Sequence, residues 1–124
     1  MQHRILIFDD DADLLEVCSI VLRNKNFFVI AKSDCTEIIA DIEVHNPDVI
    51  LMDNWIPEIG GIKATQLVKS NIDFKSIPVI FFSANYNLPA LAEEAGADFF
   101  LQKPFEISDL ESVVEKAIKH KTHL

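Results

Sequence analysis

The stretch VILMDNWIP, residues 49–57, sets four apolar side chains directly before an aspartate and reaches a proline four positions later. An apolar run of this kind is typical of a strand buried inside a parallel sheet. Asp53 therefore stands at the end of a buried strand, where a carboxylate is costly to desolvate unless another group pairs with it. It is either a turn or capping residue or part of a functional site. No capping signal follows it and Pro57 delays the next helix, so the pattern favours a site.

Four further apolar runs lie on either side of this stretch, and segments with helical periodicity separate them. Strands that are buried on both faces lose the alternation of polar and apolar residues that half-exposed strands show. Five βα units with nearly all-apolar strands predict one α/β domain over residues 1–124, with a parallel sheet covered by helices on both faces. The predicted strands are residues 4–8, 27–31, 49–52, 77–82 and 99–101.

Polar residues mark the predicted starts of the helices. Asp11 and Asp13 open the first helix as acids that the helix dipole favours. Ser33 and Asp34 offer capping side chains for the second helix. The sequence SDLE, residues 108–111, predicts a capping box at the start of the fifth helix. The third helix is predicted to carry the apolar residues Ile62, Leu67 and Val68.

Composition and charge exclude several classes of protein. Apolar residues make up 49% and charged residues 25% of the 124-residue chain, as in ordinary globular domains. The net charge of -9 argues against direct nucleic-acid binding, which relies on Lys and Arg to neutralise phosphates. No apolar run approaches the roughly 18–20 residues that span a bilayer, and acids interrupt the start ILIFDDD, so we expect no membrane insertion and a cytoplasmic location. Cys18 and Cys35 are predicted to be buried free thiols.

The residues that follow the predicted strands carry most of the candidate chemistry. Parallel α/β sheets bind ligands at the carboxyl ends of their strands, near the point where the strand order reverses. Carboxylates crowded at this edge repel each other unless they take up protons or a cation. The residues are Asp9, Asp10 and Asp11 after the first strand, Asp53 after the third, Ser83 and Ala84 after the fourth, and Lys103 with Pro104 after the fifth.

This set of side chains suits one phosphoryl group. Oxygen ligands with few fixed protein contacts favour Mg²⁺, which commonly joins one or two carboxylates to a phosphate. Phosphoryl transfer needs an in-line nucleophile and positive charge against the remaining oxygens, and carboxylates serve as phosphoryl acceptors. Asp53 is the predicted nucleophile, Lys103 and Mg²⁺ are predicted to hold the phosphoryl group, and the Ser83 hydroxyl is predicted to donate to one of its oxygens.

The sequence resembles the receiver domains of two-component response regulators, including the chemotaxis regulators, over essentially the whole chain. The motifs that carry the resemblance are ILIFDDD, VILMDNWIPEIGG, FFSAN and GADFFLQKPF. The resemblance implies a flavodoxin-like, doubly wound (βα)₅ fold with strand order 2-1-3-4-5. It also implies a phosphorelay in which a sensor histidine kinase, or a histidine phosphotransfer protein, passes a phosphoryl group from phosphohistidine to Asp53. Such a domain catalyses its own phosphorylation and dephosphorylation and turns over no external substrate.

The resemblance further implies a role for each residue of the metal site. Asp10 and Asp53 are expected to bind Mg²⁺ directly, and the backbone carbonyl of Trp55 is expected to be a third ligand. Asp9 is expected to act through water. Trp55 and Asn85 are also expected to border the phosphoryl site, and we expect the broad indole to slow hydrolysis of the phosphorylated aspartate.

The remaining site residues are expected to sense the phosphoryl group. Ser83, Ala84 and Lys103 are the expected phosphoryl-binding residues. Phe100 stands where the family places an aromatic residue that turns inward when the switch hydroxyl moves, although it is equally well explained as a core residue. The fourth helix, fifth strand and fifth helix are the expected surface for a downstream protein. No output domain follows within the sequence, which is consistent with a stand-alone regulator or with a piece of a longer protein.

Three alternatives remain at this point. A haloacid-dehalogenase-like phosphatase would use Asp9 as its nucleophile with Asp11 two positions on, but Asp13 stands where that family has Thr or Val. A binding module could keep the receiver fold without being phosphorylated. A flavin-binding flavodoxin-like domain is disfavoured because no Gly/Ser/Thr-rich phosphate loop follows the first strand.

Overall fold

A computed structural model describes residues 2–56 and 59–122 of the chain, and Pro57 lies outside the described residues. Five strands alternate with five helices along these residues. The strands are β1 (Arg4–Phe8), β2 (Phe28–Lys32), β3 (Val49–Asp53), β4 (Val79–Ser83) and β5 (Phe99–Gln102). The helices are α1 (Ala12–Asn24), α2 (Ile38–His45), α3 (Gly61–Lys69), α4 (Leu88–Ala95) and α5 (Ile107–Thr122).

The five strands form one parallel sheet with the order β2-β1-β3-β4-β5. The predicted doubly wound α/β fold and its strand order are therefore confirmed. The chain passes from β1 outward to β2 and then returns to the other side of β1 to form β3. This reversal opens a crevice between the carboxyl ends of β1 and β3, where sheets of this kind bind their ligands.

The strand side chains alternate between the two faces of the sheet, and helices cover both faces. One core layer lies against α1 and α5, and the other lies against α2, α3 and α4. Because the central strands β1, β3 and β4 are buried on both faces, their middle residues are all apolar, whereas the edge strands β2 and β5 are partly exposed. The first layer includes Ile5, Ile7, Val49, Leu51, Ile80 and Phe82 from the strands, and the second includes Leu6, Phe8, Ile50, Met52 and Phe81.

The start of α1 agrees with the sequence, whereas the predicted start of α2 is wrong. The Asp11 carboxylate caps α1 by accepting hydrogen bonds from the backbone N–H groups of Asp13 and Leu14 at 3.0 and 3.2 Å. Such a cap contributes about 0.5–2 kcal/mol to stability. Helix α2 begins at Ile38 without a side-chain cap. Asp34 instead accepts hydrogen bonds from Thr36, so its side chain stabilises a local turn and not the helix.

A further prediction about the helices is wrong. Helix α5 begins at Ile107, so Ser108 lies inside the first turn and residues 108–111 form no capping box. The Asp109 carboxylate accepts a hydrogen bond of 3.5 Å from the backbone N–H of Glu106. This contact resembles one half of a capping box that starts at Glu106, two positions before the predicted Ser108. Leu67 of α3 is exposed, and the buried residues of this helix are Gly61, Ala64, Thr65 and Val68.

Both cysteines are free and buried, as the sequence predicts. Burial raises the pKa of the Cys18 thiol and of the Cys35 thiol to about 11. Both side chains therefore behave as small apolar groups at neutral pH. Among the helices of residues 2–56 and 59–122, none combines the length and the apolar character that a bilayer crossing requires.

Candidate functional site

The carboxyl ends of four strands bring the predicted site residues together. Asp9 directly follows β1, Asp53 ends β3, Ser83 ends β4 and Lys103 directly follows β5. The first three of these residues are buried, with 1%, 4% and 2% of their surfaces exposed. Each polar group is fixed by the rigid end of a strand, so the site inherits its geometry from the sheet.

Lys103 connects three of these strand ends through one ammonium group. Its Nζ atom donates to Oδ2 of Asp9 at 2.8 Å and to Oδ1 of Asp53 at 2.8 Å. The same nitrogen lies 4.6 Å from the centre of the Phe82 ring, which forms the apolar floor of the site. The charge of Lys103 is therefore shared between two buried carboxylates.

Three carboxylates meet in this crevice. Asp9, Asp10 and Asp53 each offer one oxygen, and these oxygens lie within 4.8 Å of one another. Asp9 and Asp53 are buried, whereas Asp10 is exposed and forms the side of the cluster that faces solvent. When all three are ionised, the single ammonium of Lys103 leaves an excess of negative charge. A hard divalent cation with oxygen ligands, such as Mg²⁺, matches this donor set.

The charges of the cluster perturb two pKa values. Burial raises the pKa of Asp53 to about 6, and the hydrogen bond from Lys103 opposes this rise while the charges of Asp9 and Asp10 add to it. Burial alone would lower the pKa of Lys103, but its hydrogen bonds to Asp53 and Asp9 outweigh burial and raise it. Lys103 is therefore a stable cation at neutral pH, and Asp53 is a carboxylate whose charge is incompletely compensated.

The two buried carboxylates differ in what their oxygens contact. Oδ1 of Asp9 accepts a hydrogen bond of 2.9 Å from the backbone N–H of Asp11, and Oδ2 accepts one from Lys103. Asp53 accepts a hydrogen bond from Lys103 at Oδ1. Within the part of the chain that the structure describes, Oδ2 of Asp53 accepts none. Asp53 thus has an oxygen available for chemistry, whereas both oxygens of Asp9 are engaged.

Ser83 begins the loop that joins β4 to α4. Its Oγ accepts a hydrogen bond of 3.1 Å from the backbone N–H of Asn85, and Oδ1 of Asn85 accepts one of 2.8 Å from Asn87. The Ser83 hydroxyl hydrogen has no acceptor among the described residues, so it is available to a ligand oxygen. Ala84 lies exposed directly after the strand.

The remaining predicted site residues lie nearer the surface. Trp55 follows β3 by two positions and has 75% of its surface exposed. Phe100, in the middle of β5, is 50% exposed. The alternative that Phe100 is a plain core residue is therefore wrong, and its expected role in the switch stays a prediction.

Two residues near the site are missing from the sequence-based prediction. A Cβ atom at Gly61 would overlap the carbonyl oxygen of Asp53, so only glycine permits this approach of α3 to β3. The Gly60–Gly61 pair was a signal for this approach, although it also fits an ordinary turn. Gln102 donates hydrogen bonds from its side chain to the β4–α4 loop, and nothing in its sequence context indicates this role.

Comparison with known proteins places this geometry in a family. Residues 5–115 match the response regulator receiver domain. The chain belongs to this family. This receiver domain is 30% identical over 121 residues to the DNA-binding response regulator MtrA of Mycolicibacterium paratuberculosis, and the match covers 96% of the chain and 52% of MtrA. It is 33% identical over 107 residues to the CAI-1 autoinducer sensor kinase/phosphatase CqsS of Vibrio cholerae, covering 83% of the chain and 16% of CqsS.

The receiver domain spans about half the length of the MtrA proteins that it matches. Among solved structures it resembles one described as a response regulator of Chloroflexus aurantiacus, with a TM-score of 0.90 and 29% identity over 96% of this chain and 99% of that one. The chemotaxis response regulator CheY4 of Vibrio cholerae has the same fold, with a TM-score of 0.86 and 22% identity, covering 94% of this chain and 99% of that one. Membership of this family identifies the chain as a receiver domain of a two-component system and not as a haloacid-dehalogenase-like phosphatase.

Proposed function

We propose that this receiver domain accepts a phosphoryl group on Asp53 from a phosphohistidine of a partner protein. The observation that carries the proposal is the pairing of Asp53: one oxygen is held by Lys103, and the other is free of hydrogen bonds from the described residues. Asp53 is buried but keeps 6% of its side chain exposed, so an attacking oxygen can face an incoming phosphorus atom. The receiver domain would occupy residues 1–124 as one unit.

In the proposed transfer, an oxygen of Asp53 forms a bond to phosphorus while the bond between phosphorus and the donor imidazole nitrogen breaks. The donor ring reacts with its second nitrogen protonated, so the electron pair of the broken bond stays on the first nitrogen and the ring leaves as neutral imidazole. Lys103 remains protonated and sets its positive charge against a phosphoryl oxygen. The product is an acyl phosphate on Asp53, and the receiver domain turns over no external substrate.

Asp10, Asp53 and the Trp55 backbone carbonyl are the proposed direct ligands of Mg²⁺, with Asp9 acting through water. The support is the donor set: three carboxylate oxygens within 4.8 Å of one another, with Lys103 as the cation among them. When bound, Mg²⁺ supplies positive charge against the phosphoryl oxygens. Asp9 is held by Lys103 and by the Asp11 N–H, which suits a residue that positions water and does not itself bind the phosphoryl group.

Ser83 and Ala84 are the proposed sensors of the phosphoryl group. The Ser83 hydroxyl is buried with its hydrogen unused, and the Ala84 backbone lies beside it at the end of β4. Hydrogen bonds from the Ser83 hydroxyl and the Ala84 backbone N–H to phosphoryl oxygens would draw the β4–α4 loop toward Asp53. This displacement is the proposed link between phosphorylation and the surface of the domain.

Phe100 is the proposed second part of the switch. Its ring is half exposed on β5, next to the strand that ends in Ser83. Movement of the loop would leave space for the ring to turn inward, and because phenylalanine carries no hydroxyl the coupling would rest on packing alone. The surface of α4, β5 and α5 would then favour a downstream protein target.

A groove beside Lys103 is the proposed contact for the phosphohistidine partner, which is a sensor histidine kinase or a histidine phosphotransfer protein. The groove has a volume of about 340 Å³ and is mainly apolar. Since Lys103 lines both the groove and the Asp53 site, a helix resting there would bring its histidine close to Asp53. The apolar side chains of the groove are Leu14, Val17, Val21, Pro104, Phe105, Ile107 and Leu110.

Two residues are proposed to set the lifetime of the phosphorylated state. The exposed indole of Trp55 would obstruct the water that hydrolyses the acyl phosphate, whereas the polar Asn85 side chain would help to orient that water. We propose that dephosphorylation is slower than in receiver domains with a small polar residue in place of Trp55.

The net charge of -9 argues against DNA binding by this domain, although the relative MtrA is described as DNA-binding. A cytoplasmic location follows as part of the proposal.

The experiment that tests this function is incubation with a small-molecule phosphodonor and Mg²⁺, followed by intact-mass measurement. Wild type should gain one phosphoryl group, and Asp53→Asn should gain none. Asp73→Asn, which removes an exposed carboxylate from the loop after α3, is the matched control and should behave as wild type. An unmodified wild type would favour a receiver-like binding module that is not phosphorylated.

A further inference from the structure

The side chain of Gln102 crosses from the end of β5 to the loop that follows β4. Its Nε2 atom lies 3.2 Å from the carbonyl oxygen of Ser83, 3.4 Å from that of Asn85 and 3.3 Å from that of Lys103. Gln102 is also the strand partner of Ser83 in the parallel pairing of β4 with β5. One carboxamide therefore contacts three backbone carbonyls at the edge of the phosphorylation site.

This arrangement is unusual for an exposed glutamine. A long polar side chain on the surface is normally solvated, because holding it in one conformation loses rotamer entropy. Here the carboxamide contacts the carbonyls of Ser83 and Asn85, on both sides of Ala84, whose backbone is a proposed donor to the phosphoryl group. The Ser83 carbonyl also accepts a hydrogen bond of 2.9 Å from the Lys103 backbone N–H. The first residues of the β4–α4 loop are thus tied to β5 at two points.

We propose that Gln102 is a positioning residue that holds the β4–α4 loop in its unphosphorylated conformation and so sets the threshold of the switch. This inference rests on the proposed function, because it concerns the loop that Ser83 and Ala84 would move. Gln102 itself touches neither Asp53 nor the proposed phosphoryl group, so it acts only through the loop.

The direction of the effect follows from population shift. A contact that is made in one of two conformations stabilises that conformation and disfavours the other by the same free energy. The Gln102 hydrogen bonds are made in the loop conformation in which Ser83 Oγ accepts from the Asn85 backbone N–H and the Phe100 ring is half exposed, before either residue has turned toward the site. Displacement of the carbonyls of residues 83 and 85 toward Asp53 would break them. Removing the carboxamide should therefore make the switched conformation more accessible.

The test uses Gln102→Met, which keeps the length of the side chain but removes its N–H donors. Beryllofluoride, a mimic of an aspartate-bound phosphoryl group, is titrated in the presence of Mg²⁺ while backbone amide resonances are followed by NMR. The variant should bind beryllofluoride about 2- to 10-fold more tightly than wild type, the range that one net hydrogen bond supports. Without beryllofluoride, its amide resonances at residues 84–86 should already lie on the path toward the bound positions of wild type.

Gln66→Met is the matched control. Gln66 makes the same kind of contact, from its Nε2 atom to the Glu94 carbonyl oxygen at 3.1 Å, but it joins α3 to α4 away from the loop. This variant should bind beryllofluoride as wild type does. A Gln102→Met protein with wild-type affinity and unmoved amide resonances would overturn the inference while wild type still responds to beryllofluoride. A wild type that does not respond would instead overturn the proposed function.

Discussion

The ammonium nitrogen of Lys103 lies 2.8 Å from Oδ1 of Asp53, although the two residues are 50 positions apart in the chain. The contact joins the carboxyl ends of β3 and β5, which are separated in the sheet by β4. The same nitrogen contacts Asp9 after β1. One cation therefore stabilises a cluster of acids that the fold draws together.

Mg²⁺ should raise the melting temperature by relieving repulsion among Asp9, Asp10 and Asp53. Asp10→Asn should abolish most of this gain, because it removes the exposed carboxylate of the cluster. Differential scanning calorimetry with and without millimolar Mg²⁺ measures the effect. Glu43→Gln is the matched control and should keep the full gain. Glu43 lies on α2, and the carbonyl oxygen of His45 at the end of this helix contacts Arg4 at the opposite edge of the sheet. An unchanged melting temperature in wild type would contradict the metal assignment.

The raised pKa of Asp53 predicts that the metal-free protein loses stability as the pH rises from about 4 to about 6. Between the ordinary aspartate pKa of 3.8 and the folded value of about 6, the folded state binds more protons than the unfolded state. The free energy of unfolding then decreases with pH, and the stability that protonated Asp53 contributes at low pH is lost above about 6.

Urea unfolding in the presence of a chelator, at a series of pH values, measures this dependence. Asp53→Asn should flatten the decrease and should be more stable than wild type at pH 7. The rate of phosphorylation by a small-molecule donor should fall as the pH is lowered, since only ionised Asp53 is a nucleophile. Identical pH profiles of stability for the variant and wild type would refute the assignment of this titration to Asp53.

Lys103→Met should destabilise the metal-free protein by about 3–5 kcal/mol, because it leaves two buried carboxylates without their cation. The gain in melting temperature from Mg²⁺ should be larger in this variant than in wild type. Chemical denaturation measures the loss. Lys32→Met removes a partly exposed pair with Asp41 at 3.4 Å and should change stability by about 0–1 kcal/mol. Equal losses in the two variants would show that burial of the Lys103 pairs has no energetic consequence.

The groove beside Lys103 should matter for a protein donor and not for a small molecule. Val17→Asp places a charge in the apolar groove, where a half-exposed valine can be replaced without disturbing the core. Phosphoryl transfer from a phosphohistidine protein should slow about tenfold, in line with the loss of a central interface contact. Phosphorylation by a small-molecule donor should be unchanged.

Val44→Asp is the control for the groove, because Val44 is 75% exposed on α2, which covers the other face of the sheet. It should leave both reactions unchanged. Equal transfer rates for the Val17 and Val44 variants would remove the groove from the account. Transfer rates can be followed by the loss of label from the donor protein.

The sheet and the place of the site could be predicted from sequence because both depend on long-range burial. Strands buried on two faces must be apolar, and the acids that interrupt this pattern at Asp9 and Asp53 stand out for that reason. The parallel arrangement then brings those acids to one edge. Neither inference needs the exact boundaries of an element, and the structure has β2 and β4 shifted by one or two residues without effect on the site.

Local hydrogen bonding was harder to predict. Asp and Ser side chains such as those of Asp34 and Ser108 can cap a helix, but they can equally hydrogen-bond within a nearby turn or lie inside the first turn of the helix. The sequence does not indicate which of these contacts forms. The contacts of Lys103 with Asp9 and of Gln102 with the β4–α4 loop depend on atoms from separate strands. Only the assembled sheet reveals them.

The most direct test of the account is to find which residue carries the phosphoryl group. The protein is phosphorylated with a small-molecule donor and Mg²⁺ and then treated with borohydride, which reduces an acyl phosphate of aspartate to homoserine, and its peptides are sequenced by mass spectrometry. We expect homoserine at position 53 and unaltered aspartate at positions 9 and 10. Homoserine at position 9, or at no position, would show that Asp53 is not the phosphoryl acceptor.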